Sequence, residues 1–371
     1  MTTRVIVAAS DRDANLLYAT RLWAPDPFIY FEHRGKKHVV LSDLEIDRGK
    51  KQATVDRVLS LTRYVKLLKQ RGVKQPGLGD VMNHVLRELR VRTIEVPNSF
   101  PLGLAKKLRG IRIVPKAEPF YPERQVKTTQ EIKQLEHALY LAQMGMKSAI
   151  DVLRISRIGR DGFLHWRGNK LTSEDVRGVI NATIAGLGGE GGNTIVAGGN
   201  QACDPHDSGS GPLKAHRPII LDIFPRDVAT GYYGDITRTV VRGRASERVK
   251  KMYAVVGMAQ HIAFNKLRDG CDGKTVHDGI MDLFKREGFK TGKHNGRMQG
   301  FFHGTGHGLG LDIHEPIRIS GVSATMRTGN VVTVEPGLYY WGIGGVRLED
   351  VVVIQKQGNR CLTSFPKMLE L

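Results

Sequence analysis

Residues 217–241 read RPIILDIFPRDVATGYYGDITRTVV, two apolar, strand-like runs joined by turn text, and each run carries one aspartate, Asp222 and Asp235. Twelve residues intervene, an even number. In a regular hairpin closed by an even-length loop, two such residues can lie directly opposite each other on one face. Like charges at that distance repel. Unless one is protonated or turned to solvent, a cation between them is the natural resolution, and facing carboxylates offer an oxygen-rich seat for a divalent metal.

The same problem recurs further along the chain. Glu335 ends the strand-like NVVTVE (330–335), and Pro336-Gly337 then make a turn. Glu349 sits in GGVRLEDVVVI (344–354), where Leu348 and Val351 to Ile354 read as a central strand. Arg347, two positions earlier and so on the same side of a strand, is a candidate partner for it. The stretch FFHGTGHGLGLDIHEP (301–316) supplies His303, His307 and His314. Its glycines at 304, 306, 308 and 310 make a helix costly, so a strand or open loop is expected, with His303 and His307 on one face if it is a strand. Those glycines would also let a substrate backbone approach closely. A buried carboxylate without compensation costs several kcal/mol or takes up a proton. Singly, each residue has an ordinary reading as a turn aspartate, a solvent-exposed histidine or the polar face of a half-exposed strand. Together, Asp222, Asp235, His307, Glu335 and Glu349 point to a metal centre.

The rest of the chain supplies two layers of context. Its first 125 or so residues alternate short apolar runs with amphipathic stretches: RVIVAAS, PFIYFEH and KHVVLS, a helix-like run from Gln52 to Gln70, then RTIEVP and GIRIVP. Such alternation predicts an α/β layer domain. The Pro- and charge-rich VPKAEPFYPERQVK (114–127) reads as a linker. Beyond it, Thr128 or Thr129 can cap a helix along which Ile132, Leu135, Leu139, Ala142 and Met146 recur at helical spacing. Further helices are expected from about Ser173 and from about Ser246 to Leu267, interleaved with hairpin-like strands. That pattern is α+β. Domains are therefore expected at 1–125 and 126–371.

Composition narrows the class. With 371 residues and 40% apolar content the chain can bury a large core, and no apolar run approaches the ~18 to 20 residues that span a bilayer. The start, MTTRVIVAASDRD, lacks the apolar stretch and cleavage site of a signal peptide, so a cytoplasmic protein without a membrane partner is expected. Three widely spaced cysteines, Cys203, Cys271 and Cys361, exclude a disulfide framework and a close-spaced cysteine zinc site. The net charge of +19 is unusual; residues 1–127 hold 25 Lys and Arg against 13 Asp and Glu. The basic stretches RGKKH (34–38) and KKLRGIR (106–112) are short, scattered and without flanking RNA-binding aromatics, so a nucleic-acid partner is not expected despite the charge.

The segments LDIFPRDVATGYYGDITRTVV, FFHGTGHGLGLDIHEP, TVEPGLY and GVRLEDVVVI, in this order, resemble the signature of the aminopeptidase P and prolidase family of pita-bread metallopeptidases. The likeness spans roughly residues 126–371. The text before it, including RVIVAASDRDANLLYAT and KHVVLSD, resembles the creatinase-type N-terminal α/β domain of the same proteins. The resemblance implies two divalent ions, usually Mn²⁺ and sometimes Co²⁺ or Zn²⁺. They would be held by Asp222, Asp235 (bridging), His307, Glu335 and Glu349 (bridging). It implies that Glu335 also relays a proton, that His303 and His314 contact substrate and stabilise the tetrahedral intermediate, that His206 in CDPHDSGSG lies near the leaving side of the scissile bond, and that Arg347 stands beside the last ligand. Thr237 would donate a hydrogen bond to the ligand shell. The implied activity is hydrolysis of the bond between an N-terminal residue and proline in a peptide substrate, by a homodimer. His303, Arg347 and the domain before the catalytic one set this branch apart from the methionine-specific one. Two alternatives remain: a metal-dependent hydrolase of another small amide, and a non-catalytic pita-bread binding protein. The Asp222–Asp235 interval is two residues longer than the family spacing, and the Glu335–Glu349 interval is short, which puts a loop-borne specificity contact in doubt.

Overall fold

The computed structural model describes residues 2–371 and divides into two compact units, Met1–Arg124 and Gln125–Leu371. In the first unit the chain order is β1 (Thr3–Ala8), α1 (Ala14–Thr20), β2 (Phe28–His33), β3 (Lys36–Leu41), α2 (Ile46–Gln52), β4 (Arg57–Ser60), α3 (Leu61–Gln70), α4 (Leu78–Glu88), β5 (Thr93–Pro97), α5 (Leu102–Ala105) and β6 (Arg112–Lys116). The six strands form one mixed sheet in the order β4-β3-β2-β1-β5-β6. Strand alternation explains its two cores. Val5, Val7, Ile29 and Phe31 face Leu68 of α3 and Val81 and Val85 of α4, whereas Ile6, Phe28 and Tyr30 face Leu16 of α1.

Two expectations change here. The helix read over Gln52 to Gln70 is a helix only from Leu61, because Arg57–Ser60 pairs in parallel with β3. Val58 packs on one face of the sheet and Leu59 on the other, so alternation overrides the helical propensity of the surrounding text. The expected linker is also structured. Its first residues complete β6, and Phe120 and Tyr121 are buried beside Tyr30 in the second core of the unit.

The second unit begins with α6 (Thr129–Ile155), capped by Thr128, whose hydroxyl accepts from the Glu131 N–H while the Glu131 carboxylate returns to the Thr128 N–H. A small meander, β7 (Arg157–Ile158), β8 (Leu164–Trp166) and β9 (Asn169–Lys170), leads to α7 (Ser173–Gly186) and to β10 (Gly189–Glu190), β11 (Ile195–Gly198), β12 (Pro218–Ile223), β13 (Arg226–Asp227) and β14 (Ile236–Val241). After α8 (Glu247–Lys266) and α9 (Gly273–Arg286) come β15 (Gly292–His294), β16 (Arg297–Gln299), β17 (Gly306–Gly308), β18 (Glu315–Ile319), β19 (Val331–Val334), β20 (Gly337–Tyr340), β21 (Gly344–Arg347), β22 (Asp350–Gln355) and β23 (Gly358–Cys361). Helix α9 was not anticipated; Asp272 caps it, and Val276, Ile280 and Phe284 bury its apolar face. All three cysteines are free thiols.

Two sheets, each backed by two helices, organise this unit. The sheet β11-β12-β14 packs Ile219, Leu221 and Ile223 against α6 and α7. The sheet β18-β17-β19-β22-β23 packs Val332 and Val334 against α8 and α9. Alternation then turns Asp222 on β12, and Thr333 and Glu335 along β19, away from the helices. The acidic residues share the face that no helix covers.

Candidate metal centre

Asp222 and Asp235 share a face, but they are not directly opposed: Asp222 pairs with Thr237, and the ladder ends at Ile223 with Ile236. The connection is no simple hairpin. It carries β13, which pairs with β10, and a further bridge joins Arg226 to Tyr233. The two carboxylates are therefore diagonal neighbours, and the even spacing preserves the common face.

Five side chains converge there. One oxygen each of Asp235 and Glu349 and one nitrogen of His307 lie within 4.8 Å of one another, and all three residues are buried. His307 Nε2 is 3.7 Å from Asp235 Oδ2 and 3.4 Å from Glu335 Oε1. Its Nδ1 sits 3.0 Å from the Gly308 carbonyl, which fixes the proton on Nδ1 and leaves the Nε2 lone pair facing the carboxylates. Glu349 Oε2 accepts from Thr237 Oγ1 at 2.7 Å, as expected of that threonine. Asp222 completes the set, its charge acting on Asp235, Glu335 and Glu349 alike. Glu349 lies between β21 and β22 rather than inside one strand, because its N–H leaves the ladder to donate to the Thr237 carbonyl at 3.0 Å.

Arg347 partners a different carboxylate from the one anticipated. Its Nη2 donates to Asp222 Oδ2 at 2.6 Å, its Nη1 to the Tyr339 hydroxyl at 3.0 Å and its Nε to Thr237 Oγ1 at 3.4 Å. Burial opposes its charge, yet Tyr339, Asp222 and Glu335 more than compensate and keep the guanidinium protonated. Tyr339 escaped the sequence reading. Its only signal was a place four residues after Glu335 in a strand-like run, and the ring is fully buried.

The histidines divide by environment. His303 precedes β17 instead of lying on it, and both its nitrogens are engaged, Nδ1 with the Gly304 carbonyl and Nε2 with the Tyr339 hydroxyl, each at 2.8 Å. Burial and the Arg347 charge pull its pKa down to about 3, so it is neutral and accepts a hydrogen bond from the tyrosine hydroxyl through Nε2. The His314 ring is exposed and stands perpendicular to that of His307 with centroids 4.4 Å apart. His206 lies on an exposed loop, close enough for its charge to act on His303 and His314. The glycines of this stretch serve the protein's own packing rather than open space for a substrate. A Cβ on Gly306 would stand 1.9 Å from the Thr333 carbonyl, and one on Gly310 would stand 2.4 Å from a Glu315 carboxylate oxygen.

The electrostatics fit divalent cations. Burial, then the charge of Glu349, raises the Asp235 pKa far above the ordinary carboxylate range. Burial, then Glu335, does the same for Glu349. Glu335 is pushed up to about 7 by burial, with Arg347 pulling the other way. Asp222 Oδ1 is buried and meets no hydrogen-bond donor among the described residues. Four carboxylates, one of them with an orphaned oxygen, and a neutral imidazole with its lone pair inward form a hard, oxygen-rich donor set.

The comparisons with known proteins agree with this geometry. Residues 134–356 match metallopeptidase family M24. The uncharacterized peptidase YqhT of Bacillus subtilis (strain 168) is 34% identical over 264 residues, which cover 69% of this chain and 67% of that protein. A Xaa-Pro dipeptidase of Pyrococcus horikoshii is 29% identical over 286 residues, 75% of each chain. In fold, the X-Pro aminopeptidase of Thermotoga maritima MSB8 superposes with a TM-score of 0.82 at 22% identity, covering 100% of this chain and 98% of the other. The prolidase from Pyrococcus furiosus gives a TM-score of 0.79 at 22% identity, with coverage of 99% and 97%. The architecture is thus the α+β pita-bread catalytic fold preceded by an α/β N-terminal domain, and the chain belongs to metallopeptidase family M24.

Proposed function

We propose that this metallopeptidase binds two divalent ions, Mn²⁺ by preference, and hydrolyses the bond between an N-terminal residue and a following proline. The convergence of Asp222, Asp235, His307, Glu335 and Glu349 on one helix-free face carries this reading. When bound, such ions supply polarisation of the peptide carbonyl and acidification of a water molecule. The residues do the rest. Glu335, with a proton affinity near neutrality, is suited to take a proton from the attacking water and pass it to the leaving nitrogen. His303 holds Tyr339, Tyr339 and Asp222 hold Arg347, and the guanidinium aims Asp222. His314, exposed beside His307, is the imidazole best placed to meet substrate, with His206 on the facing loop. A tertiary prolyl amide offers no N–H, so recognition rests on its carbonyl and on the free amine before it. We further propose a homodimer working in the cytoplasm; no helix among the described residues is long and apolar enough to cross a membrane.

The test is release of proline from Gly-Pro and of arginine from Arg-Pro-Pro, with Mn²⁺ and after chelation. Manganese-dependent release that chelator abolishes is expected, and the ratio of the two rates assigns dipeptidase or aminopeptidase. Turnover that persists without divalent ions, or hydrolysis confined to amides lacking proline, overturns the proposal.

A further inference from the structure

The back of the centre is built around one arginine. Arg238 lies on β14, and strand alternation puts it on the opposite face from Thr237. Its side chain is 1% exposed, and the whole guanidinium is used. Nη1 donates to the Thr237 carbonyl at 3.0 Å and the Glu349 carbonyl at 2.6 Å. Nη2 donates to Asp350 Oδ1 at 2.8 Å and the Phe365 carbonyl at 2.7 Å, and Nε donates to the Pro366 carbonyl at 3.2 Å.

Two of these acceptors belong to the centre. Glu349 stands where the chain crosses from β21 to β22, so no strand ladder fixes its carbonyl; Arg238 does. Thr237, whose hydroxyl grips the Glu349 carboxylate, has its own carbonyl shared between Arg238 and the Glu349 N–H. Asp350, the next residue, supplies the counter-charge and is held in turn by Lys367 at 2.6 Å and Thr363 Oγ1 at 2.8 Å. A rigid planar fork can satisfy carbonyls from three chain segments at once, which an ammonium on a flexible stem cannot.

We propose that Arg238 is a positioning residue for metal: by fixing the main chain at Thr237 and Glu349 from behind the sheet, it sets the Glu349 carboxylate and thereby the affinity of the centre for divalent ions. This rests on the metal-centre reading above. Outer partners of metal ligands typically set affinity by about tenfold to a hundredfold.

The experiment is calorimetric titration of Mn²⁺ into chelator-stripped full-length wild type and Arg238→Lys, with circular dichroism and Gly-Pro hydrolysis on the same samples. The expected result is a folded variant that binds Mn²⁺ about tenfold or more weakly and recovers turnover when the ion is raised to saturation. Wild-type affinity in the variant overturns the proposal, and so does weak binding that saturating Mn²⁺ does not rescue, since that is general damage. If Arg238→Lys does not fold, Asp350→Asn decides, because it keeps the guanidinium and removes its counter-charge. Affinity a few-fold weaker supports the proposal, and unchanged affinity overturns it. A wild type that binds no Mn²⁺ refutes the metal reading itself.

Discussion

The proposed metal binding carries with it a coupled release of protons, and the site sets the size of the effect. In the metal-free state Glu335 holds a proton up to about pH 7, and Asp235 and Glu349 are raised far above the carboxylate range. Cations bind the ionised forms, so these protons must leave. For Glu335 alone, lowering the pH from 8 to 6 takes the carboxyl from mostly ionised to mostly protonated and weakens binding about tenfold, or ~1.4 kcal/mol. Asp235 and Glu349 add to that slope, whereas His307, whose pKa burial drags down to about 3, adds nothing. Calorimetry of Mn²⁺ binding at pH 6, 7 and 8 in two buffers of different ionisation enthalpy reads the protons directly. Release of at least one proton at pH 6, falling toward pH 8, is expected. Affinity flat over that range, with no buffer dependence, refutes the reasoning. The same shift fixes a sign for stability. Because the folded pKa of Glu335 is raised, its contribution to the metal-free fold is complete below about pH 4.5 and lost as the pH rises through about 7, on the order of 3 kcal/mol.

Glu335→Gln should lower turnover by at least about a hundredfold, the usual range for loss of a proton relay, with circular dichroism unchanged; kcat within a few-fold of wild type would remove its assigned role. Arg347→Ala leaves Asp222 and Tyr339 buried without their cation, and urea unfolding should register a loss of ~3 kcal/mol or more. A change under ~1 kcal/mol would show that the pair carries no such weight. Lys127→Met strips the cation lying 2.5 Å from Glu315, both side chains being almost fully buried, so a destabilisation of ~3 kcal/mol is expected in the same assay, and an unchanged midpoint would count against it.

Much of the centre was legible because burial is legible. Asp222 and Glu349 stand beside runs of Ile, Leu and Val, where a charge needs a reason. Thr237 was reached only through the family resemblance, and its contact with Glu349 joins residues 112 apart. What escaped depended on contacts between distant segments. The partner of Arg347 is Asp222, 125 residues away, and nothing within VRLED distinguishes it from Glu349. Direct opposition of the two aspartates failed because β13 pairs elsewhere and lengthens the connection without changing its parity. The glycines around His307 looked like room for a substrate until Thr333 and Glu315 were seen to fill it. Tyr339 and Arg238 were silent for the same reason: an aromatic or a basic residue in a strand announces no role until its partners are known.

The burial of Phe120 and Tyr121 bears on how the protein can be dissected. A fragment meant to carry the N-terminal half alone must run through Arg124, since stopping at the end of β6 would leave a hole beside Tyr30 where two aromatic rings belong. A catalytic fragment begun just after β6 would carry those same rings bare into solvent and invite association between copies. The safe scissors point falls between Arg124 and Gln125, inside the proline-rich text rather than at its start.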